Sequence, residues 1–243
     1  MSPTAEQLFA ASEATWPAAR TWQQNGFTLR DGQGGGQRVS SATADGPVTE
    51  DQIAAAEAAM RKMGQAPIFC VRKPGDALDA ALAARGYVEK DATTLYTLPI
   101  ERLTDKPIPR VTAFTIWEPL AMMKEIWATD GIGPARLAVM ERARTKTAIL
   151  SRWKEKPGGV AFAGVHDDIC MVHAVVVLPH QRRQGVAEWM MRRAAFWGQA
   201  HGAQHMAVLC VVENVAANAL YRRLGFAAVG GYHYRVLPEE RNT

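Results

Sequence analysis

The sequence has little of what marks a secreted, membrane-bound or metal-dependent protein. Only three cysteines occur in 243 residues, Cys70, Cys170 and Cys210, far apart and in apolar surroundings such as Ile68-Phe69-Cys70-Val71. A disulfide framework or a zinc site needs Cys or His at short spacing. No such spacing occurs, so no metal is expected, and the thiols read as reduced, buried groups of a cytoplasmic protein. No apolar run reaches the roughly 18–20 residues that cross a bilayer, so no membrane partner is expected. The opening stretch MSPTAEQLFAASEATW lacks a basic start and a continuous apolar core, so no signal peptide is expected either. Charge of one sign is scarce: 28 Lys and Arg against 24 Asp and Glu leave +4. The basic residues never form a long block. Nucleic-acid binding draws its affinity from several phosphates neutralised together, so a nucleic-acid partner is not expected. What remains is ordinary: 48% hydrophobic and 21% charged residues exclude a disordered chain, a collagen repeat and a coiled-coil rod. At roughly 150 residues per domain the length is that of one to two domains.

Periodicity and turn residues divide the chain in two. The first part reads as a helix over 5–14, a strand over 27–30, a glycine turn over 31–36 and a returning strand over 38–43. A helix over 50–63 follows, with Thr49 as N-cap and Gln52 placed for a capping box. Then come a strand over 67–71, an alanine-rich helix over 76–85 stopped by Gly86, and a strand over 93–98. The segment 103–110 is polar, carries Pro107 and Pro109, and reads as a linker. Beyond it the pattern predicts a strand over 111–116, a helix over 119–127, a loop over 130–134 and a long helix over 135–153. Strands over 159–166 and 169–178 meet at the hairpin tip Asp167-Asp168. A helix over 186–200 carries an apolar stripe of Val186, Trp189, Met190, Ala194 and Trp197, with Glu188, Arg192 and Gln199 on its other side. A strand over 205–212, a helix over 214–224 closed by Gly225 and a strand over 231–237 complete the chain. The expected domains are 1–102 and 111–243, joined by the linker 103–110. A weak repeat relates Gly86-Tyr87 to Gly225-Phe226, each after a helix and before a strand. Duplication and the ordinary use of glycine to end helices both explain it.

The stretch from Val175 to Ala187 carries the strongest chemical signal. It runs from a buried strand through a short loop, Pro179-His180-Gln181-Arg182-Arg183-Gln184-Gly185, into a helix start. The unpaired amides at a helix start carry partial positive charge and bind phosphate. Gly185 lets the backbone approach a ligand, and Arg182 and Arg183 add formal charge. A solvated turn would use the same residue types. Asn214 and Tyr221 stand seven residues apart, two helical turns, and share a face with Ala217 between them. An N-cap asparagine and a core tyrosine are the plain alternatives.

Together these stretches resemble the GCN5-related N-acetyltransferase superfamily. Its Arg/Gln-x-x-Gly-x-Gly/Ala signature is met by Arg182-Arg183-Gln184-Gly185-Val186-Ala187, after Val177-Leu178-Pro179. Its later pattern is met by Asn214, Ala217, Leu220, Tyr221, Gly225 and Phe226. The resemblance covers about 111–237 and implies an α/β (α+β) fold, a mixed, mostly antiparallel sheet flanked by helices, in two related halves. The first half looks degenerate: Asp45-Gly46-Pro47 stands where the phosphate motif would follow a strand, so no cofactor is expected there.

The resemblance further implies acetyl-CoA as acetyl donor, lying between two neighbouring parallel strands. Val175, Val176 and Val177 would flank its pantetheine arm, with the backbone of Val175 and Val177 making the hydrogen bonds. Amides of Arg183, Gln184, Gly185, Val186, Ala187 and Glu188 would hold the pyrophosphate, with charge from Arg182 and Arg183. Asn214 would bond the arm, and Tyr221 would protonate the leaving thiolate. An alkylamine is protonated at neutral pH, so a base must take its proton. His173 is preferred: it shares the strand and, in a regular strand, the side-chain parity of Val175 and Val177. Its nine-residue offset before Arg182 is similar to that of a histidine in the serotonin N-acetyltransferase branch. Asp168, Glu213 and a water chain are alternatives, and His233 reads as filling the sheet. The acceptor would sit near 127–136, around Gly131-Ile132-Gly133. Small amines, amino acids, antibiotics and protein lysines all fit as acceptor, and a homodimer is left open. The competing reading is a non-catalytic acyl-CoA-binding regulatory module.

Overall fold

Side-chain caps and glycine turns set many element boundaries in the computed structural model, which describes residues 2–238. Met1 and residues 239–243, the outer ends of the two expected domains, lie outside the described residues. In chain order the elements are α1 (Ala5–Thr15), β1 (Arg20–Gln24), β2 (Phe27–Asp31), α2 (Gln37–Ser40), β3 (Thr43–Ala44), α3 (Glu50–Lys62), β4 (Ile68–Val71), α4 (Ala77–Ala84) and β5 (Val88–Pro99). They continue as β6 (Ala113–Ile116), α5 (Ala121–Ala128), α6 (Pro134–Arg142), β7 (Thr145–Trp153), β8 (Lys156–His166) and β9 (Ile169–Val177). The last are α7 (Val186–Ala200), β10 (His205–Val211), α8 (Val215–Arg223) and β11 (Ala227–Val236). The fold is mixed α/β with mostly antiparallel pairing, as expected.

Three expectations are corrected. The long helix over 135–153 is instead α6 followed by β7, which pairs antiparallel with β6 and β8. Thr145, Thr147 and Ile149 are β-branched and favour a strand, and the helix ends at Ala143 in extended backbone. The returning strand over 38–43 is a single helical turn, α2, and the pairing with β2 falls to Thr43 and Ala44. Arg192 is buried rather than on a solvated face: Glu188, the Leu103 carbonyl and Asp105 hold its guanidinium.

Contacts divide the chain into two units, neither contiguous in sequence. Among the described residues, the first holds those up to Pro17 with Leu95–Cys210 and Val215–Val229; the second holds Ala18–Thr94, Val211–Asn214 and those from Gly230 on. These boundaries differ from those drawn at 102 and 111. The start of the segment 103–110 belongs to the first unit's core, where Leu103 is 1% exposed and Asp105 pairs with Arg192.

In the first unit the strand order is β5-β10-β9-β8-β7-β6. Helix α7 buries Val186, Met190, Met191 and Ala194 with Ile149, Ala161, Ala163, Cys170 and Val172. Side chains alternate along a strand, so this face of β8 is opposite that of Phe162. Trp16, just past α1, meets the Phe162 face, with ring centroids 5.9 Å apart. Burying one large apolar side chain is worth about 2 kcal/mol, so these two layers supply much of the unit's stability.

The second unit contains the antiparallel sheet β1-β2-β3 and the antiparallel pair β4 and β11. Its core gathers Phe27, Leu29, Ile53, Met60, Phe69, Val71 and Leu82. A buried carboxylate is fully used there. Asp79 Oδ1 accepts from His233 Nε2 at 2.9 Å and from Arg235 Nε at 2.6 Å. Burial would raise its pKa, but the bonds from Arg235, the Gly75 amide and His233 win and hold it at about 2. His233 therefore has a structural partner, in line with its reading as part of the sheet.

Candidate active site

The site is built where β9 parts from β10. Their parallel pairing runs from Ile169 opposite His205 to Val172 opposite Val208. Among the described residues no register pair joins the two strands beyond that point. On its other side β9 stays paired with β8, but the register shifts between Phe162–His173 and Val160–Val176. Ala174 lies inside this bulge with φ of +51°. Its carbonyl accepts from Trp127 Nε1 at 2.8 Å. The bulge breaks the parity argument for His173. Val175 and Val177 pack toward the α7 core, whereas His173 and Val176 share the opposite face with Phe162 and Val160.

A bulge is hard to see in a sequence because it shifts side chains without changing residue types. The glycines Gly158 and Gly159 hint at it. A Cβ on Gly159 would stand 2.5 Å from the Val176 carbonyl oxygen and 3.1 Å from Met190 Cε. One on Gly158 would meet Val186 at 3.0 Å. These glycines let β8 close under the start of α7 and were missed as site residues.

The loop ends at Gly185, the N-cap of α7, in the left-handed region at φ 78°. No side chain caps the helix. Arg182, Arg183, Gln184 and Gly185 are exposed, while Val186 is buried and anchors the first turn. Glu188, the acid of that turn, is drawn to Arg192, its Oε1 3.1 Å from Nε. The result is a 15-residue helix with an open, electropositive start beside the end of β9. An acyl-CoA pyrophosphate fits such a start, since the donors lack a side-chain cap and both arginines are exposed.

Tyr221 is 6% exposed and packs against Tyr96 and Phe226, with centroids 6.0 and 5.7 Å away. Burial, with the Cys210 thiol nearby, raises its pKa above the ordinary phenol value, so it stays protonated. Its hydroxyl has no hydrogen-bond partner among the described residues. Cys210 is itself pushed up to about 11 by burial, and Cys170 to about 12, so neither is a ready nucleophile. Asn214 is exposed and precedes α8; it falls in the Val211–Asn214 segment of the second unit. Ala217 and Asn218 follow it on the helix, and Asn218 accepts from the Tyr96 hydroxyl at 2.9 Å.

His173 is 5% exposed. Its Nε2 lies 2.8 Å from Thr15 Oγ1, and its ring lies 5.2 Å from that of Trp16. Asp168 has a different task. Its carbonyl accepts from the Gln204 and His205 amides, and its carboxylate faces His205 at 3.3 Å. It sits at the opposite end of β9 from Val175, about 20 Å away along an extended strand. Glu213 is exposed. Gly131 and Gly133 both precede α6, Gly133 as its N-cap, and Ile132 between them is buried. Among the described residues no cluster of His, Cys, Asp and Glu is placed to hold a metal, and no helix is long and apolar enough to cross a membrane.

Comparison with known proteins gives consistent findings. Residues 120–226 match the family described as Acetyltransferase (GNAT) family. An uncharacterized N-acetyltransferase of Bacillus subtilis, YobR, is 28% identical over 244 residues, covering 95% of this chain and 96% of that protein. A GCN5-related N-acetyltransferase from Kribbella flavida superposes with a TM-score of 0.71 at 19% identity, over 96% of this chain and 95% of that one. A tandem GNAT protein from the clavulanic acid biosynthesis pathway does so with a TM-score of 0.58 at 14% identity, over 94% and 86%. The last two are likenesses of fold.

Proposed function

We propose that this chain, whose residues 120–226 match the GNAT acetyltransferase family, moves an acetyl group from acetyl-CoA to a primary amine. The observation that carries the reading is the parting of β9 from β10 after Val172, next to the uncapped start of α7. The first leaves strand edge for a pantetheine arm, and the second supplies amides for a pyrophosphate.

Bound acetyl-CoA supplies a thioester whose carbonyl an amine attacks directly. Val175 and Val177 would hold the arm through their backbone, with Val176 between them. Amides from Arg183 to Glu188 would hold the pyrophosphate, and Arg182 and Arg183 would lend charge. Asn214 is assigned a hydrogen bond to the arm on the family pattern. His173 would take the proton of the incoming ammonium, directly or through water. Tyr221 would deliver its proton to the departing sulfur; burial keeps the phenol protonated in the resting enzyme. We further read the second unit, which has no counterpart of the Gly185 motif, as the degenerate partner of a tandem pair. Buried, reduced thiols suit a cytoplasmic enzyme. The acceptor is an amine of a small molecule or of a protein.

The test has two stages. Acetyl-CoA should raise the melting temperature, and free thiol should then appear when a panel of amines is added. A shift without thiol release on any amine favours a non-catalytic acyl-CoA-binding module. No shift at all rejects the reading.

A further inference from the structure

Trp127 lies in the last turn of α5 and is fully buried. An indole has one N–H donor and no acceptor, and a buried one needs a partner. Trp127 Nε1 donates to the Ala174 carbonyl at 2.8 Å. That carbonyl lies inside the β9 bulge. Strand β9 pairs with β8 at His173–Phe162 and again at Val176–Val160, and no register pair falls on Ala174. Between those two pairs β9 takes one residue more than β8. Ala174 is the only residue of β9 with positive φ, at +51°. A side chain disfavours that backbone, and a return to regular strand would relieve it. The indole N–H is the side-chain bond that holds the bulge against such a return.

The bulge sits where the proposed acyl-CoA cleft opens. The pairing of β9 with β10 ends at Val172–Val208, just before Ala174. The extra residue turns Val175 and Val177 toward the α7 core, opposite the face of His173. A regular strand would carry His173, Val175 and Val177 on one face. The bulge therefore decides how β9 presents itself along the cleft. The backbone of Trp127 serves a second segment. Its carbonyl accepts from the Asp130 and Ile132 amides, both at 3.0 Å, and ties down the turn that leads into α6. One residue thus joins that turn, by its main chain, to the bulge of β9, by its side chain.

We propose that Trp127 is a positioning residue for acyl-CoA: its indole N–H holds Ala174 in left-handed backbone, and the resulting bulge gives β9 the shape that receives the pantetheine arm. This role rests on β9 being the acyl-CoA strand, as in the proposed function. Trp127 makes no bond to the ligand and acts through Ala174.

The test removes the N–H and nothing else. Replacing Trp127 with benzothienylalanine keeps the two fused rings and puts sulfur where the N–H stands. NMR of 13C-alanine-labelled protein reads the backbone of Ala174 without any ligand, its signal assigned by its loss in Ala174→Gly. The natural chain should show Ala174 shifts of left-handed backbone, and the benzothienyl chain should lose them. Acetyl-CoA affinity in calorimetry should fall about tenfold in the benzothienyl chain. Adding Ala174→Gly, which takes positive φ without strain, should restore that affinity to within about twofold. A tryptophan that only filled space would not be rescued from position 174. Unmoved Ala174 shifts overturn the proposal, and so does an affinity that is unchanged by loss of the N–H or not restored by Ala174→Gly. Failure of the natural chain to bind acetyl-CoA overturns the reading of β9 itself, and this role with it, whatever the Ala174 shifts.

Discussion

Two helices, one in each unit, begin in opposite ways. In the second unit α3 starts under a closed cap: the Thr49 side chain accepts from the Gln52 amide, and the Gln52 side chain accepts from the Thr49 amide at 2.8 Å. Glu50 and Asp51 add negative charge to its first turn. In the first unit α7 starts at an unadorned glycine with two exposed arginines before it, and Glu188 is engaged by Arg192. Every helix start carries the same partial positive charge. What differs is whether the protein's own side chains consume it. The α3 start is satisfied from within and repels anions. The α7 start has no side-chain cap, and on the proposed reading its donors serve a ligand. The contrast is between these two helix starts and not between whole units, since α1 in the first unit carries the same kind of capping box and α2 in the second starts uncapped at Gly36.

The largest effect expected from breaking the contrast is at Gly185. Gly185→Glu places a carboxylate at the phosphate approach and forces a side chain into left-handed backbone. It should weaken acetyl-CoA binding by about 4 kcal/mol, about a thousandfold, in calorimetry. Gly185→Ala, with the strain but not the charge, should lose less. Unchanged affinity in Gly185→Glu would dissolve the distinction between the two helix starts. Next comes Tyr221→Phe, which should lower kcat about a hundredfold while leaving acetyl-CoA affinity nearly intact. Equal turnover would strip the first unit of its proposed acid.

Smaller effects probe the second unit. The carboxyl of Asp79 is held at about 2, below its ordinary 3.8. A depressed carboxyl stabilises the fold above its unfolded pKa and loses that contribution as pH falls through the folded value. About 2 kcal/mol should therefore disappear between pH 4 and pH 2. Asp79→Asn should cost a similar amount at neutral pH and flatten that acid limb in urea titrations. An acid limb identical to that of the natural chain would make the His233–Asp79–Arg235 cluster energetically idle. Thr49→Ala should cost about 1 kcal/mol, read as a lower urea midpoint, and leave acetyl-CoA binding alone. A change in acetyl-CoA affinity there would mean that the closed helix start is not closed.

Much of this was legible in the sequence, for identifiable reasons. Helix α7 was predicted with its observed bounds because Gly185 and the Val186-Met190-Ala194 stripe mark its start and inner face. Thr49 and Gln52 announce the α3 capping box by spacing alone. The strand β7 was hidden because Ala148, Leu150 and the charged residues around them suit a helix equally well, and only pairing with β6 and β8 decides the matter. Arg192 was misplaced because its partners, Leu103 and Asp105, are 89 and 87 residues away. The contact of Thr15 with His173 was invisible for the same reason, since it spans 158 residues. The side-chain parity of His173 failed at a bulge of one residue, which no period-two pattern reveals.

Hydrogen exchange with and without acetyl-CoA tests the central claim most directly, because it reads both helix starts in one experiment. The account predicts new amide protection over 183–188 and along 173–177, and none over 50–53. Protection that spares 183–188, or that falls equally on the start of α3, would contradict it.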